Sequence, residues 1–441
     1  MKRRDGIKDP VPRTSFRRNI PLFIVFRVLF NARWYYPVLA VLFLDLGLTV
    51  EQYALLNVAW AAAIVGLEVP SGALADFLGR KRMVVFASIL MIVEMAVLAF
   101  APRGNPELLF WVFLLNRILS GAAEASASGA DEALAYDSLA ADHDEQRWPQ
   151  VLERVMRWQS VGFFIVMIVG AAIYDAGFVQ RVIGFLGLPW EISKDIATRL
   201  PALFTLANAI LVLFAALAMR EPPVTKIDGP ANPWKSTLAA GRWIWITPAA
   251  FVIILSGLTF DSIIRLFLTF ESGYFRIIQL PTASFGIIGA AFSLLGFIVP
   301  AMARKMVAGR TMRTNFIYLG FLVFIGLAGI SFSRTWYGLI WIIPIAMGMS
   351  FTQFFVSHYL NEQVTDSGRR ATILSFRGLA FNLGYGMIGV LFAALTKSLS
   401  DASPGSLPDQ TLDRALLWLP WYFLVTMLLL SAAAAVRMRR G

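Results

Sequence analysis

The residues of this 441-residue chain that could do chemistry are ionisable side chains set inside long apolar runs. A charge in hydrocarbon persists only with a partner or a water-filled cavity, so each one marks a pairing site or a path for solute or protons. The densest set, Arg117, Glu124, Asp131 and Glu132, lies in the run 108–136. Offsets of seven put Arg117, Glu124 and Asp131 on one helical face, drifting only about 20° per heptad. Gly121 and Ser128 fall on the same stripe, so this face is polar and small, like one lining an aqueous cavity. Arg117 and Glu124 stand about 10 Å apart along the axis, too far to pair, so each needs a partner on another helix or in water. Glu124, near mid-membrane depth, is the best carrier for a proton or a solute. Shielded carboxylates can exchange protons near neutral pH, which adds Glu68, just before Pro70, and Glu94. Glu68 lies two turns before Asp76 and in register with it, which favours a network with Asp76 and an arginine.

Later in the chain Asp261 and Arg265 are four apart, the spacing of a pair on one helix face; if that pair opens, Asp261 becomes a second titratable site. Arg27, Asn31 and Trp34 share a face with Tyr35 beside it, and Asn382 and Tyr385 make another run polar. Asn31, Trp34, Tyr35, Asn382 and Tyr385 are therefore candidates for a solute cavity, and Arg117 for a structural ion pair that holds helices together. The chain has no cysteine, no H-E-x-x-H, and two distant histidines, His143 and His358. Neither a metal site nor an intramembrane enzyme is expected.

The elements that hold these residues are helices crossing a bilayer. Hydrophobic residues make up 58% of the chain and charged ones 15%, far from a soluble domain. Runs at 20–45, 52–74, 83–101, 108–136, 155–176, 201–219, 247–270, 283–303, 314–332, 336–358, 371–396 and 415–437 are long enough to span. The net charge of +11 is not a nucleic-acid patch. Lys and Arg crowd the N-terminus, alternate loops and the C-terminus, the positive-inside pattern, which puts both termini in the cytoplasm. Lys2-Arg3-Arg4 mimics a signal peptide, but the run that follows is long and holds Arg27, Asn31 and Arg33, so a retained first helix is expected. Arg220-Glu221-Pro222-Pro223 ends a helix, and a Pro-, Gly- and Asp-rich stretch follows to Pro233. This divides the chain into a six-helix bundle over 1–219, a linker with an interfacial helix over 220–246, and a second six-helix bundle over 247–441. An all-α, polytopic membrane protein with two pseudo-symmetric halves is expected.

One loop carries a specific signature. Gly72-Ala73-Leu74-Ala75-Asp76-Phe77-Leu78-Gly79-Arg80-Lys81 resembles the G-x-L-A-D-x-x-G-R-K motif between helices 2 and 3 of the major facilitator superfamily of secondary transporters. Phe77 departs from it, a basic residue being common there. Arg117 and Gly121 resemble the weaker R-x-x-x-G signature of helix four, whose arginine the family associates with proton coupling. The resemblance implies twelve helices, alternating access, and a gate at Gly72, Asp76, Gly79, Arg80 and Lys81. The matching loop of the second half has Met306 where an aspartate would stand, so the gate should be asymmetric. The G-P-x-x-G-G motif of antiporters is absent around Gly162 and Gly170.

The expected function is transport of a small organic solute by a monomer in the plasma membrane. Proton coupling is expected, with the proton gradient in place of any cofactor. Aromatic content and a cationic outer face favour export; uptake by symport or uniport is the alternative. A receptor or scaffold on the same fold is the rival from another class.

Overall fold

Hydrocarbon leaves a backbone little choice but the helix, which satisfies its own N–H and C=O groups. The computed structural model describes residues 16–102, 104–222, 233–364 and 367–439. Its α-helices, in order, are α1 Asn19–Asn31, α2 Leu39–Asp45, α3 Val50–Leu78, α4 Arg80–Ala99, α5 Pro106–Ala127, α6 Ala130–Ala141, α7 Trp148–Tyr174, α8 Ala176–Phe185 and α9 Lys194–Ala218. The second half has α10 Pro233–Ile246, α11 Pro248–Ile277, α12 Phe285–Ser293, α13 Leu295–Gly309, α14 Met312–Phe332, α15 Leu339–Gln363, α16 Ser367–Asp401, α17 Pro408–Leu416 and α18 Leu419–Arg439. Among the described residues, 11 helical stretches are long and apolar enough to cross a membrane. The twelfth crossing is the first apolar run, and it is not one helix. This is the twelve-span, two-bundle fold expected from the sequence.

The expected continuous helix over 20–45 breaks between Asn31 and Leu39. Pro37 has no N–H to return to the carbonyl of Arg33, so the ladder cannot continue there. The freed groups find partners on α9: Thr205 Oγ1 accepts from Trp34 N at 3.0 Å, and Asn208 Nδ2 donates to the Ala32 carbonyl at 2.9 Å. The run 108–136 also breaks, at Ser128–Gly129, where Gly129 takes φ +75°, a conformation glycine adopts without strain. The run 283–303 bends at Leu294 between α12 and α13.

The halves meet along two seams: α3 runs along α16, and α7 packs on α12, while α2 leans on α11. Small residues permit the approach. A Cβ on Gly389 would meet Val58 at 2.7 Å, and one on Gly286 would run into the backbone carbonyl of Met167. Gly286→Val should therefore cost about 2 kcal/mol or more, at the upper end of overpacking, since the obstacle is backbone. A lowered thermal midpoint in detergent checks this; an unchanged midpoint would mean the seam is loose.

Candidate functional site

The two breaks in the first half rearrange the residues singled out by spacing. Because α5 ends at Ala127, Asp131 does not continue the stripe of Arg117 and Glu124. Sequence periodicity assumed one helix, and Gly129 redirects the chain. Asp131, 1% exposed, instead faces α1, where Arg27 Nη1 lies 3.0 Å from its Oδ2 and Nη2 lies 2.6 Å from Glu132 Oε1. Trp34 and Tyr35 likewise fall beyond the end of α1 and do not share a helical face with Arg27 and Asn31. Trp34 packs edge-on against Phe204 of α9, with ring centroids 5.7 Å apart. Asn31 does line a cavity, of about 480 Å³, between Val28–Ala32 of α1, Gln159–Phe164 of α7, and Ser293–Leu294 of the other half. A second cavity, of about 590 Å³, lies between α13 and α15 beside Ser350, Gln353, Ser357 and His358.

Arg33 and Glu94 form a buried ion pair that sequence spacing did not reveal. Arg33 Nη1 lies 2.8 and 2.9 Å from the two Glu94 oxygens, and donates to Tyr35 Oη at 3.3 Å. The residues are 61 apart in sequence, and only the broken segment brings them together. Asn116 of α5 donates to the Glu94 backbone carbonyl at 2.8 Å.

Glu68 of α3 and Glu124 of α5 lie within electrostatic reach of each other, and Tyr36 is close to Glu124. Glu68 Oε2 is buried without a hydrogen-bond partner among the described residues. The expected link from Glu68 to Asp76 falls on a side chain outside the described residues. Arg117, also buried, lies with its guanidinium 4.7 Å from the Phe43 ring centroid. Across the seam Asp261 and Arg265 pair at 2.5 Å. Arg265 Nη1 donates to Asn382 Oδ1 at 2.7 Å, and its guanidinium lies 5.2 Å from the Tyr385 ring. Tyr385 and Trp60 of α3 meet edge-on at 6.4 Å. The solute-cavity candidates Asn382 and Tyr385 are thus tied to Arg265 at the junction of the halves.

The loop at Gly79, the expected gate, is held within its own half. Gly79 turns at φ +103°, and Glu221 at the end of α9 accepts from Arg80 N at 3.0 Å and Lys81 N at 2.7 Å. A carboxylate there caps the open N–H groups of α4 and complements its dipole. The Arg80 side chain bonds the Ala133 carbonyl at 3.1 Å and pairs with Asp137. Gly72 is a helical position in α3 with open space where a Cβ would stand. In the second half Asn315 donates to the Met306 carbonyl at 3.2 Å.

The opposite end of the seam is shut by bonds between the halves, all missed by sequence reasoning. Arg276 of α11 reaches Asp45 Oδ1 at 2.6 Å across the seam and Asp409 Oδ1 at 2.5 Å on its own side. Asp45 also accepts from Tyr174 at 2.8 Å. Ser272 Oγ accepts from Ala40 N at 3.0 Å and Val41 N at 3.3 Å. These are first-turn donors of α2, exposed by the break and capped from the other half. Tyr53 donates to the Thr269 carbonyl at 3.1 Å. The 480 Å³ cavity begins on the other side of the Met167–Gly286 contact, toward the Gly79 end.

Comparisons with known proteins agree with this architecture. The profile of the Major Facilitator Superfamily matches residues 22–389. The quinolone resistance protein NorA of Staphylococcus aureus (strain MRSA252) is 25% identical over 280 residues, 62% of this chain and 64% of that protein's length. Among solved structures, the nucleoside transporter NupG superposes with a TM-score of 0.72 at 14% identity, covering 94% of this chain and 98% of that one. A bacterial homologue of the human lysosomal transporter Spinster, inward-facing and unoccupied, gives 0.71 at 15% identity, covering 95% of each chain. A D-xylose-proton symporter gives 0.61 at 14% identity over 93% of this chain and 97% of that one. At these identities the structures share the fold. The family match over most of the chain, joined to the two-bundle architecture, makes this protein a multi-pass membrane protein of the major facilitator superfamily.

Proposed function

We propose that the chain moves a small organic solute across the plasma membrane by alternating access, coupled to protons, with export favoured over import. It acts as a monomer, with both termini and the Gly79 end in the cytoplasm, as the distribution of Lys and Arg suggests. The coupling reading rests on one observation. Glu68 and Glu124 lie within electrostatic reach of each other inside the bundle, and the charged neighbour resolved for Glu68 is another acid. Two like charges so placed call for a proton or a cationic group between them. A seam shut at the Arg276 end, with a cavity on the Gly79 side of its α7–α12 contact, is what one half of an alternating-access cycle requires. Similarity to a protein named for quinolone resistance supports export; the symporter shares the fold alone.

The test is solute movement in sealed vesicles under an imposed pH gradient. Wild-type protein should move solute faster with the gradient than without it. Glu124→Gln should still bind solute while losing at least tenfold of that acceleration, and Glu68→Gln should lose part of it. Unchanged gradient dependence in both variants would move coupling to other groups.

A further inference from the structure

Arg117 is 5% exposed, yet its Nε and Nη2 have no hydrogen-bond partner among the described residues. A buried guanidinium without hydrogen-bonded partners is costly, and stacking on Phe43 offsets only part of that. Glu124 is two turns further along α5, beyond pairing distance. The three tyrosines that feel the Arg117 charge, Tyr35, Tyr53 and Tyr385, bond elsewhere. Tyr35 accepts from Arg33, Tyr53 donates to the Thr269 carbonyl, and Tyr385 shares a bond with Thr269 Oγ1 at 2.9 Å. From the other half, Arg265 stacks on the same Tyr385, and Arg377 and Arg265 share Asp261 as their neighbouring acid. At the junction of the halves Asp261 is thus shared by Arg265 and Arg377, and Glu94 is held by Arg33, while Arg117 has no carboxylate bonded to it among the described residues.

The two unpartnered nitrogens form one edge of the guanidinium, the side-on fork whose parallel N–H groups match a carboxylate. Tyr53 and Tyr385 lie within electrostatic reach of it, and the Trp60 ring meets that of Tyr385. We propose that the central site takes the anionic group of an aromatic organic carboxylate, with Arg117 as its bidentate partner and these rings as the walls. This specifies the solute class of the transport reading above and rests on it. The fork is covered in this conformation, so a solute reaches it only as the halves part around Tyr53 and Tyr385.

Binding to the full-length protein in lipid nanodiscs tests this with 1-naphthoate and its uncharged analogue 1-naphthamide, read by calorimetry. The acid should bind at least tenfold tighter than the amide. Arg117→Gln should erase that preference, and Arg117→Lys, which keeps the charge and loses the fork, should keep a fraction of it. Equal affinity for acid and amide, no binding of the acid, or a preference surviving in Arg117→Gln would each overturn the proposal. Should Arg117→Gln not fold, the wild-type comparison decides alone. Vesicle assays separate the two claims. Movement of the amide without the acid removes the anion site and leaves transport, whereas binding of the acid with no movement of either solute under a pH gradient does the reverse.

Discussion

Replacing Arg276 by alanine is expected to open the end of the crevice that is shut in this structure. The guanidinium is a single bridge, held by Asp45 from the first half and by Asp409 from its own. Both pairs are half-buried, with 27% of the arginine side chain exposed against 18% and 37% for the acids, so neither is a surface ion pair of negligible worth. Charge-assisted bonds contribute about 1.5–3 kcal/mol each, and the one that crosses the seam favours the closed state directly. A shift of about 2 kcal/mol corresponds to roughly 30-fold in the closed-to-open ratio. Ser272 would keep its bonds to the first turn of α2 only while that end stays closed, so its loss should follow cooperatively. Because the chain has no cysteine, Ala40→Cys, buried beneath the network, is a clean reporter. Alkylation of that thiol by a membrane-impermeant maleimide should rise at least tenfold when Arg276→Ala is added. Equal labelling in the two backgrounds would show that the bridge does not hold the seam.

Bonds of this kind are where sequence reading stops. The apolar runs, the linker and the Gly79-Arg80-Lys81 loop are local patterns, and they give the twelve crossings and the family directly. Asp45 and Arg276 are 231 residues apart, and nothing in either neighbourhood names the other. Breaks are equally hard to see. Pro37 ends a ladder, yet Pro70, Pro201, Pro300 and Pro344 lie inside continuous helices, so proline alone does not mark where a span parts. Gly129 turns the chain while Gly121 stays helical and packs closely on α3, where a Cβ would stand 2.7 Å from the Trp60 carbonyl. One helical stripe through Arg117, Glu124 and Asp131 was therefore the natural expectation. Its physical content survives in part, since the charges do sit inside the bundle. Their neighbours come from other helices: Arg27 pairs with Asp131, the Phe43 ring stacks on Arg117, and Glu124 meets the like charge of Glu68.

The same dependence on tertiary placement sets the largest stability effect expected. Arg33 is 3% exposed and Glu94 is 0% exposed, and the arginine binds both carboxylate oxygens. Removing one partner leaves the other as a buried, uncompensated charge, which costs about 3–5 kcal/mol. Arg33→Met should therefore unfold at a markedly lower temperature in detergent, and Glu94→Met should do the same. The double variant should recover most of the loss, because an apolar pair of similar volume needs no desolvation offset. Transport should not recover with it. Arg33 belongs to the turn between Asn31 and Leu39, and its pairing with α4 fixes where α2 starts and hence where Ser272 and Arg276 meet it. A stable double variant with weakened closure at Ala40→Cys would separate the two roles of the pair. If Arg33→Met melts like the wild type, water reaches Glu94, and the pair neither anchors the break nor sets the closed end.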